Sequence, residues 1–124
     1  MRSKWIEFAG KRIFYQDFSN LGMDSTEAVK AELAEVQAVV LSQPEDSLLV
    51  LSDFRNTSIN NELMGILRES SAKTKGHIRK TAVLGVVGVK RVLADILTKL
   101  TGQKLSYFEH ESDAKAWLVR SDTN

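Results

Sequence analysis

Short apolar runs alternate with helical patterns through the second half of this chain. The runs at 48–51, 81–87 and 105–108 each end at a turn, and a helical spacing of apolar residues follows each one. Strands that alternate with helices are typical of α/β domains, in which helices cover a largely parallel sheet. Any binding site is then expected at the carboxyl ends of the strands.

The first half of the chain predicts an antiparallel hairpin followed by a helix. Residues 4–8 and 12–18 are rich in aromatic and β-branched side chains, and Gly10 between them suits a tight turn. A helix from about residue 25 to Ser42 is predicted by apolar residues at i, i+4, i+7 and i+11, which are Val29, Leu33, Val36 and Val40.

Three further helices are predicted, from about residue 60, from residue 88 to Gly102, and over 112–118. The complete order is β-β-α-β-α-β-α-β-α. This order predicts an α/β fold with a mixed sheet of about five strands and about four helices. At 124 residues the chain is expected to form a single domain, 1–124, with an ordered core over about 4–120.

Composition excludes several classes of function. The chain has no cysteine, so disulfides, thiolate catalysis and cysteine-ligated zinc are excluded. A net charge of +1 gives no general attraction to nucleic acid or to a membrane surface. No apolar run is long enough to span a bilayer, and the N-terminus lacks the apolar core of a secretory signal. We therefore expect a cytoplasmic protein without stable membrane insertion.

Three patches of sequence, which together cover most of residues 5–119, resemble a known family. The first is a strand that ends in an aspartate before a polar turn, LVLSDFRNT at 49–57. The second is a basic lead-in to a strand, KTAVLGVVG at 80–88. The third is a final strand and closing helix, YFE at 107–109 with AKAWL at 114–118. These patches resemble the STAS-like superfamily (sulfate transporter and anti-sigma-factor antagonist), in its bacterial branch related to STAS and CRAL-TRIO domains.

The resemblance implies a non-enzymatic signalling module that acts by binding a protein partner. In phosphoregulated members of the superfamily, a kinase modifies a serine in the loop after the aspartate-ended strand. The corresponding loop here follows Asp53, and Ser58 is its nearest hydroxyl, although Asn60 or Asn61 are alternative equivalents. We expect Asp53, Thr57, Ser58, Asn60 and Asn61 to form the partner-binding or phosphorylation site.

The loop after the strand at 81–87 has the residues of a weak anion site. Glycines precede the predicted start of a helix, whose N-terminal N–H groups attract anions. The candidate residues are Gly85, Gly88, Lys90 and Arg91. The spacing matches neither a Walker loop nor a dinucleotide fingerprint, so no cofactor is expected. The alternative interpretation is that Gly85 and Gly88 let a strand and a helix pack closely.

Asp53 ends a strand at a position where α/β proteins place functional carboxylates. A catalytic or metal site would need a second acid, and Glu62 is the only local candidate. The alternative is that Asp53 accepts N–H bonds from residues 55–57 and ties the turn together. We find no catalytic set and no metal-ligand spacing, and we expect no enzyme.

These observations favour a binding module whose partner surface is the loop at 54–61. The basic loop at 85–91 would lie beside it if the two preceding strands are neighbours in the sheet. The alternative function is a small-molecule or lipid carrier, in which one sheet face is incompletely covered and leaves an apolar pocket. An open apolar face could equally be a homodimer interface.

Overall fold

The computed structural model describes residues 1–86 and 104–120. Five strands lie in these ranges, β1 (Lys4–Phe8), β2 (Lys11–Asp17), β3 (Leu48–Asp53), β4 (Ile78–Leu84) and β5 (Leu105–Phe108). Three α-helices accompany them, α1 (Thr26–Leu41), α2 (Asn61–Thr74) and α3 (Glu111–Val119), with a 3-10 turn at Lys75–His77. The fourth helix that the sequence predicts, over 88–102, lies outside the described residues.

The five strands form one sheet in the order β1-β2-β3-β4-β5. The first pair is antiparallel and the other three pairs are parallel, which confirms the predicted mixed sheet. The hairpin between β1 and β2 has a two-residue loop. Ala9 and Gly10 in this loop have φ angles of 51° and 79°, the combination that matches the right-handed twist of a hairpin.

Helices cover both faces of the sheet. All six residues of β3 are buried, as its unbroken apolar run predicts. On one face, α1 and α2 pack against alternate strand residues that include Phe14, Val50 and Val83. On the other face, α3 packs through Ala114 and Leu118 against the intervening strand residues. The apolar stripe predicted for α1 is buried in the first of these two clusters.

The fourth strand begins and ends three residues earlier than the predicted 81–87. It ends at Leu84 because Gly85 turns the chain with a φ angle of +85°. Its start includes Lys80, a residue that the sequence pattern places outside the strand. Lys80 is buried because its Nζ donates to the carbonyl oxygens of Trp117 and Arg120, 3.0 Å and 2.8 Å away at the end of α3. These contacts satisfy carbonyl groups that a helix end leaves unpaired.

None of the helices in the described ranges is both long and apolar enough to cross a membrane.

Candidate functional site

Two loops at the carboxyl ends of β2 and β3 are joined along their length. The N–H groups of Phe18, Asn20 and Gly22 donate to the carbonyl oxygens of residues 53, 55 and 56, at 2.8–3.0 Å. Ser58 N–H returns a bond of 2.9 Å to the Gly22 carbonyl. The loop at 54–61 and residues 18–25 are therefore joined into one continuous surface.

The polar residues of the predicted site have different positions in this surface. The hydroxyl of Thr57 lies inside it, where it donates to the Phe18 carbonyl and accepts from Leu21 N–H. Asn60 caps α2, because its side-chain oxygen accepts from Leu63 N–H at 2.7 Å. Asn61 is exposed as the first residue of the helix. Asn60, and not Ser58, is therefore the N-cap of α2.

Ser58 lies next to the most exposed large apolar side chain among the described residues. Met23 has 81% of its surface exposed, and the Ser58 hydroxyl lies 3.3 Å from its sulfur. Asn20, Asn56 and Asn60 are exposed in the same two loops, and Asn56 donates to the Asn20 side chain at 2.9 Å. Exposed apolar and polar side chains occur together in protein interfaces. We call Met23, Ser58 and these three asparagines the two-loop surface.

Asp53 is inside the molecule and fully engaged. It is only 1% exposed, and Tyr15 donates its hydroxyl to Oδ2 at 2.6 Å. Arg55 gives the carboxylate three hydrogen bonds, from its backbone N–H, Nε and Nη2, at 2.7–3.0 Å. Arg55 also reaches Glu111 at 3.0 Å, which pairs with Lys115 at 2.7 Å. The turn role predicted for Asp53 is thus present, although of residues 55–57 only Arg55 donates to it.

The charges of this network shift the pKa values of its members. Burial raises the pKa of Asp53, but hydrogen bonds from Arg55 and Tyr15 outweigh burial and hold that pKa below its usual range. Burial and the Asp53 carboxylate together raise the pKa of Tyr15. The hydrogen bond from Lys115, followed by that from Arg55, holds the pKa of Glu111 low. The network therefore keeps both carboxyl groups ionised and Tyr15 protonated.

The Gly85 turn packs directly against the backbone of the turn after β3. A Cβ atom on this glycine would lie 2.5–2.7 Å from backbone atoms of Phe54 and Arg55. Close packing and the positive φ angle both account for a glycine at this position. The pairing of β3 with β4 brings the 54–61 loop next to Gly85. Gly88, Lys90 and Arg91 of the predicted anion site lie outside the described residues.

A cavity of about 160 Å³ lies on the sheet face that α1 and α2 cover. Its walls are largely apolar and come from the sheet, both helices and the loop at 54–61. Val50 and Val83 contribute from the strands, Leu33 and Leu67 from the helices, and Phe54 and Ile59 from the loop.

Two polar features border this cavity. Gln16 and Ser52 are buried at the sheet, and the serine hydroxyl donates to Gln16 Oε1 at 3.0 Å. The side-chain nitrogen of Gln16 has no hydrogen-bond partner among the described residues. Arg68 of α2 borders the same cavity, is exposed, and forms no ion pair within the described part of the chain. Over 1–86 and 104–120, no acidic side chain lines the cavity.

The described residues contain no group of three or more acidic, histidine or cysteine side chains that could hold a metal ion.

Comparison with known proteins gives a structural match. An uncharacterised protein of the DUF3478 family from Shewanella loihica PV-4, described as having a SpoIIAA-like fold, is similar to this chain with a TM-score of 0.70. The match covers 94% of this chain and 91% of the other, at 12% sequence identity. The chain has a SpoIIAA-like, STAS-like fold. No protein-family model and no curated protein sequence matches it.

Within this STAS-like fold, several residues of the site carry no sequence signal. Met23 lies between β2 and α1, in a segment for which the hydrophobic pattern predicts neither a strand nor a helix. Tyr15 and Glu111 are 38 and 58 residues from Asp53 along the chain, so only the folded sheet brings them together. In the sequence, Gln16 and Arg68 are ordinary polar residues of a strand and a helix. Only the packing of the folded chain shows that both border a cavity.

Proposed function

We propose that this chain is a non-enzymatic regulatory module that captures a protein partner through the two-loop surface. The observation that carries the proposal is Met23, which is 81% exposed, contacts the Ser58 hydroxyl and lies in a pair of loops that also exposes three asparagines. Exposed methionines suit adaptable binding surfaces, because the side chain is flexible and polarisable. The likeness to a STAS-like fold supports the proposal at the level of the fold alone.

Ser58 gives this surface a means of regulation. Its hydroxyl touches the sulfur of Met23, and it lies two residues before the cap of α2. A phosphate on Ser58 would be favourable for the fold, because it adds negative charge near a helix N-terminus. The same phosphate would place a strongly hydrated group against the apolar centre. We therefore infer that phosphorylation would release an apolar partner without unfolding the domain.

The test compares capture of a partner by the wild-type protein and by surface variants. Tagged protein is incubated with an extract of the source organism, and bound proteins are quantified by mass spectrometry. We expect Met23→Gln and Ser58→Asp each to lower recovery of a specific partner by about tenfold, the effect of losing an interface hot spot. Leu41→Gln is the matched control, since Leu41 is also an exposed apolar residue but lies at the far end of α1.

A partner retained by both surface variants would contradict the proposal. Equal loss in the Leu41→Gln control would also contradict it, because capture would then follow general surface hydrophobicity. A second copy of the chain is one candidate partner. Light scattering of the wild type and the Met23→Gln variant separates self-association from capture of another protein.

The second candidate function is carriage of a small molecule, and the cavity of about 160 Å³ favours it. Native mass spectrometry of gently purified protein should then show a bound mass in addition to the chain. Val83→Phe is the matching variant, because its ring would occupy the cavity that Val83 lines. We expect the added mass to disappear in this variant while its circular dichroism stays that of the wild type. A wild type that carries no added mass would count against carriage.

A further inference from the structure

We propose that the cavity between the sheet and helices α1 and α2 binds a small carboxylic acid, with its apolar body inside and its carboxylate at Arg68. This inference rests on the second proposed function, carriage of a small molecule, and adds the chemical class of the ligand. Three features of the cavity support it: its size, its charge and its unused hydrogen-bond donor.

The size and lining of the cavity select a compact apolar body. Protein cavities of about 150 Å³ hold a molecule as large as benzene. The cavity here has about 160 Å³, and its walls include Val50, Val83, Leu67 and Phe54. Such a site favours a single ring or a short branched chain, because burial of apolar surface drives binding and a larger body would not fit.

The charge of the cavity selects an anion. Arg68 is the only side chain of a basic or acidic residue among the described residues that line it, and it forms no ion pair within that part of the chain. Four other described arginines, at positions 2, 12, 55 and 79, each have an acidic or aromatic partner, and Arg120 at the end of α3 does not line the cavity. A guanidinium group binds a carboxylate through two parallel hydrogen bonds. A cationic ligand would gain no such partner at this site.

The lining of the cavity offers a second hydrogen-bond donor in addition to Arg68. Gln16 is about nine-tenths buried as a residue, and its side-chain nitrogen is a donor without a partner among the described residues. This nitrogen is accessible to a ligand, since no fully enclosed side-chain nitrogen or oxygen in the described ranges lacks a partner. A ligand with an acceptor oxygen on its body, such as a hydroxy or oxo acid, would satisfy it. The Gln16 nitrogen and the Arg68 guanidinium group therefore both favour acceptor atoms on the ligand.

The experiment is a titration of isotope-labelled protein with three ligands that share one ring and differ in the head group. Benzoate is the anion, benzyl alcohol the neutral analogue and benzylamine the cation, and NMR chemical shifts give each dissociation constant. We expect benzoate to bind about tenfold more tightly than benzyl alcohol, and benzylamine to bind most weakly. Since Arg68 is exposed, the benzoate affinity should fall as salt is added.

Two arginine variants complete the experiment. Arg68→Gln should lower the affinity for benzoate to that for benzyl alcohol and leave benzyl alcohol unchanged. Arg79→Gln is the control, because Arg79 is an exposed arginine of β4 that does not line the cavity, and it should bind all three ligands as the wild type does.

Each remaining outcome overturns a defined part of the inference. Equal binding of benzoate and benzyl alcohol, or an Arg68→Gln variant with unchanged benzoate affinity, would overturn the choice of an anion and leave carriage standing. If none of the three ligands shifts a resonance of a cavity residue, both the ligand class and the carriage of a small molecule fail.

Discussion

At the scale of single residues, the Asp53 carboxylate connects three separate parts of the molecule. It accepts from Tyr15 on β2 and from Arg55 in the following turn, and Arg55 extends the contact to Glu111 at the start of α3. The sheet and the helix on its second face are thereby held to the base of the 54–61 loop. The hydrogen bonds from Tyr15 and Arg55 therefore account for a buried carboxylate at the end of β3 that does not line the cavity.

The hydrogen bonds of Asp53 predict that the free energy of unfolding depends on pH. Because the folded-state pKa of Asp53 lies below its usual value, its carboxylate stabilises the fold at neutral pH. That contribution is lost as the pH falls through the folded-state pKa. We expect Asp53→Asn to lower the free energy of unfolding by about 2 kcal/mol at neutral pH. The difference between the variant and the wild type should shrink as the pH falls below about 4.

Urea denaturation of the wild type and the Asp53→Asn variant, at neutral and at acidic pH, measures this difference. The control is Asp24→Asn, because Asp24 is exposed and forms no ion pair within the described residues. A destabilisation of Asp53→Asn that stays constant from neutral to acidic pH would contradict the prediction.

At the scale of elements, hydrophobic periodicity is sufficient to predict a helix or strand whose own apolar residues form its buried face. The stripe of α1 and the unbroken run of β3 predict the buried residues correctly, because helix and strand periods determine which side chains face the core. The hairpin was also predictable, since only a short loop with positive φ angles joins its strands. Local sequence therefore accounts for the sheet and for the helices that lie in the described residues.

The elements were less predictable where distant groups decide the structure. The start of β4 was missed because Lys80 is buried, and it is buried because it reaches the carbonyl groups at the end of α3. No local pattern carries a contact between residues that are 37 to 40 positions apart. The cavity is equally unpredictable from local sequence, because the described side chains that line it come from two helices, four strands and the loops between them. For the same reason, only the folded chain shows that Met23 and Ser58 are neighbours.

At the scale of the whole molecule, the cavity and the two-loop surface share a wall. The inner side of the 54–61 loop contributes Phe54 and Ile59 to the cavity, and its outer side presents Ser58. Phe18 from the other loop stacks on Phe54 with ring centroids 4.9 Å apart. A ligand in the cavity and a partner on the surface would therefore act on one structural unit. If both bind, each must change the affinity of the other by the same factor.

A pair of core variants tests whether this unit is distinct from the rest of the fold. Phe54→Ala removes an aromatic ring from the wall that the cavity and the two-loop surface share. Leu118→Ala removes a large buried side chain on the opposite face of the sheet. Each should lower the free energy of unfolding by about 3 kcal/mol. Hydrogen exchange then reports which amides open locally in each variant. In Phe54→Ala we expect faster exchange at the N–H groups that join the loops, those of Asn20, Gly22 and Ser58.

In Leu118→Ala the same three amides should keep wild-type protection under conditions where the domain stays folded. Exchange should instead increase in α3, since Leu118 packs this helix on the sheet. Equal loss of protection in both variants would mean that the loops open only with global unfolding. The cavity could then not influence the two-loop surface separately, and linkage between ligand and partner would have no structural basis. Loss confined to the loops in Phe54→Ala would identify the element through which the two sites are coupled.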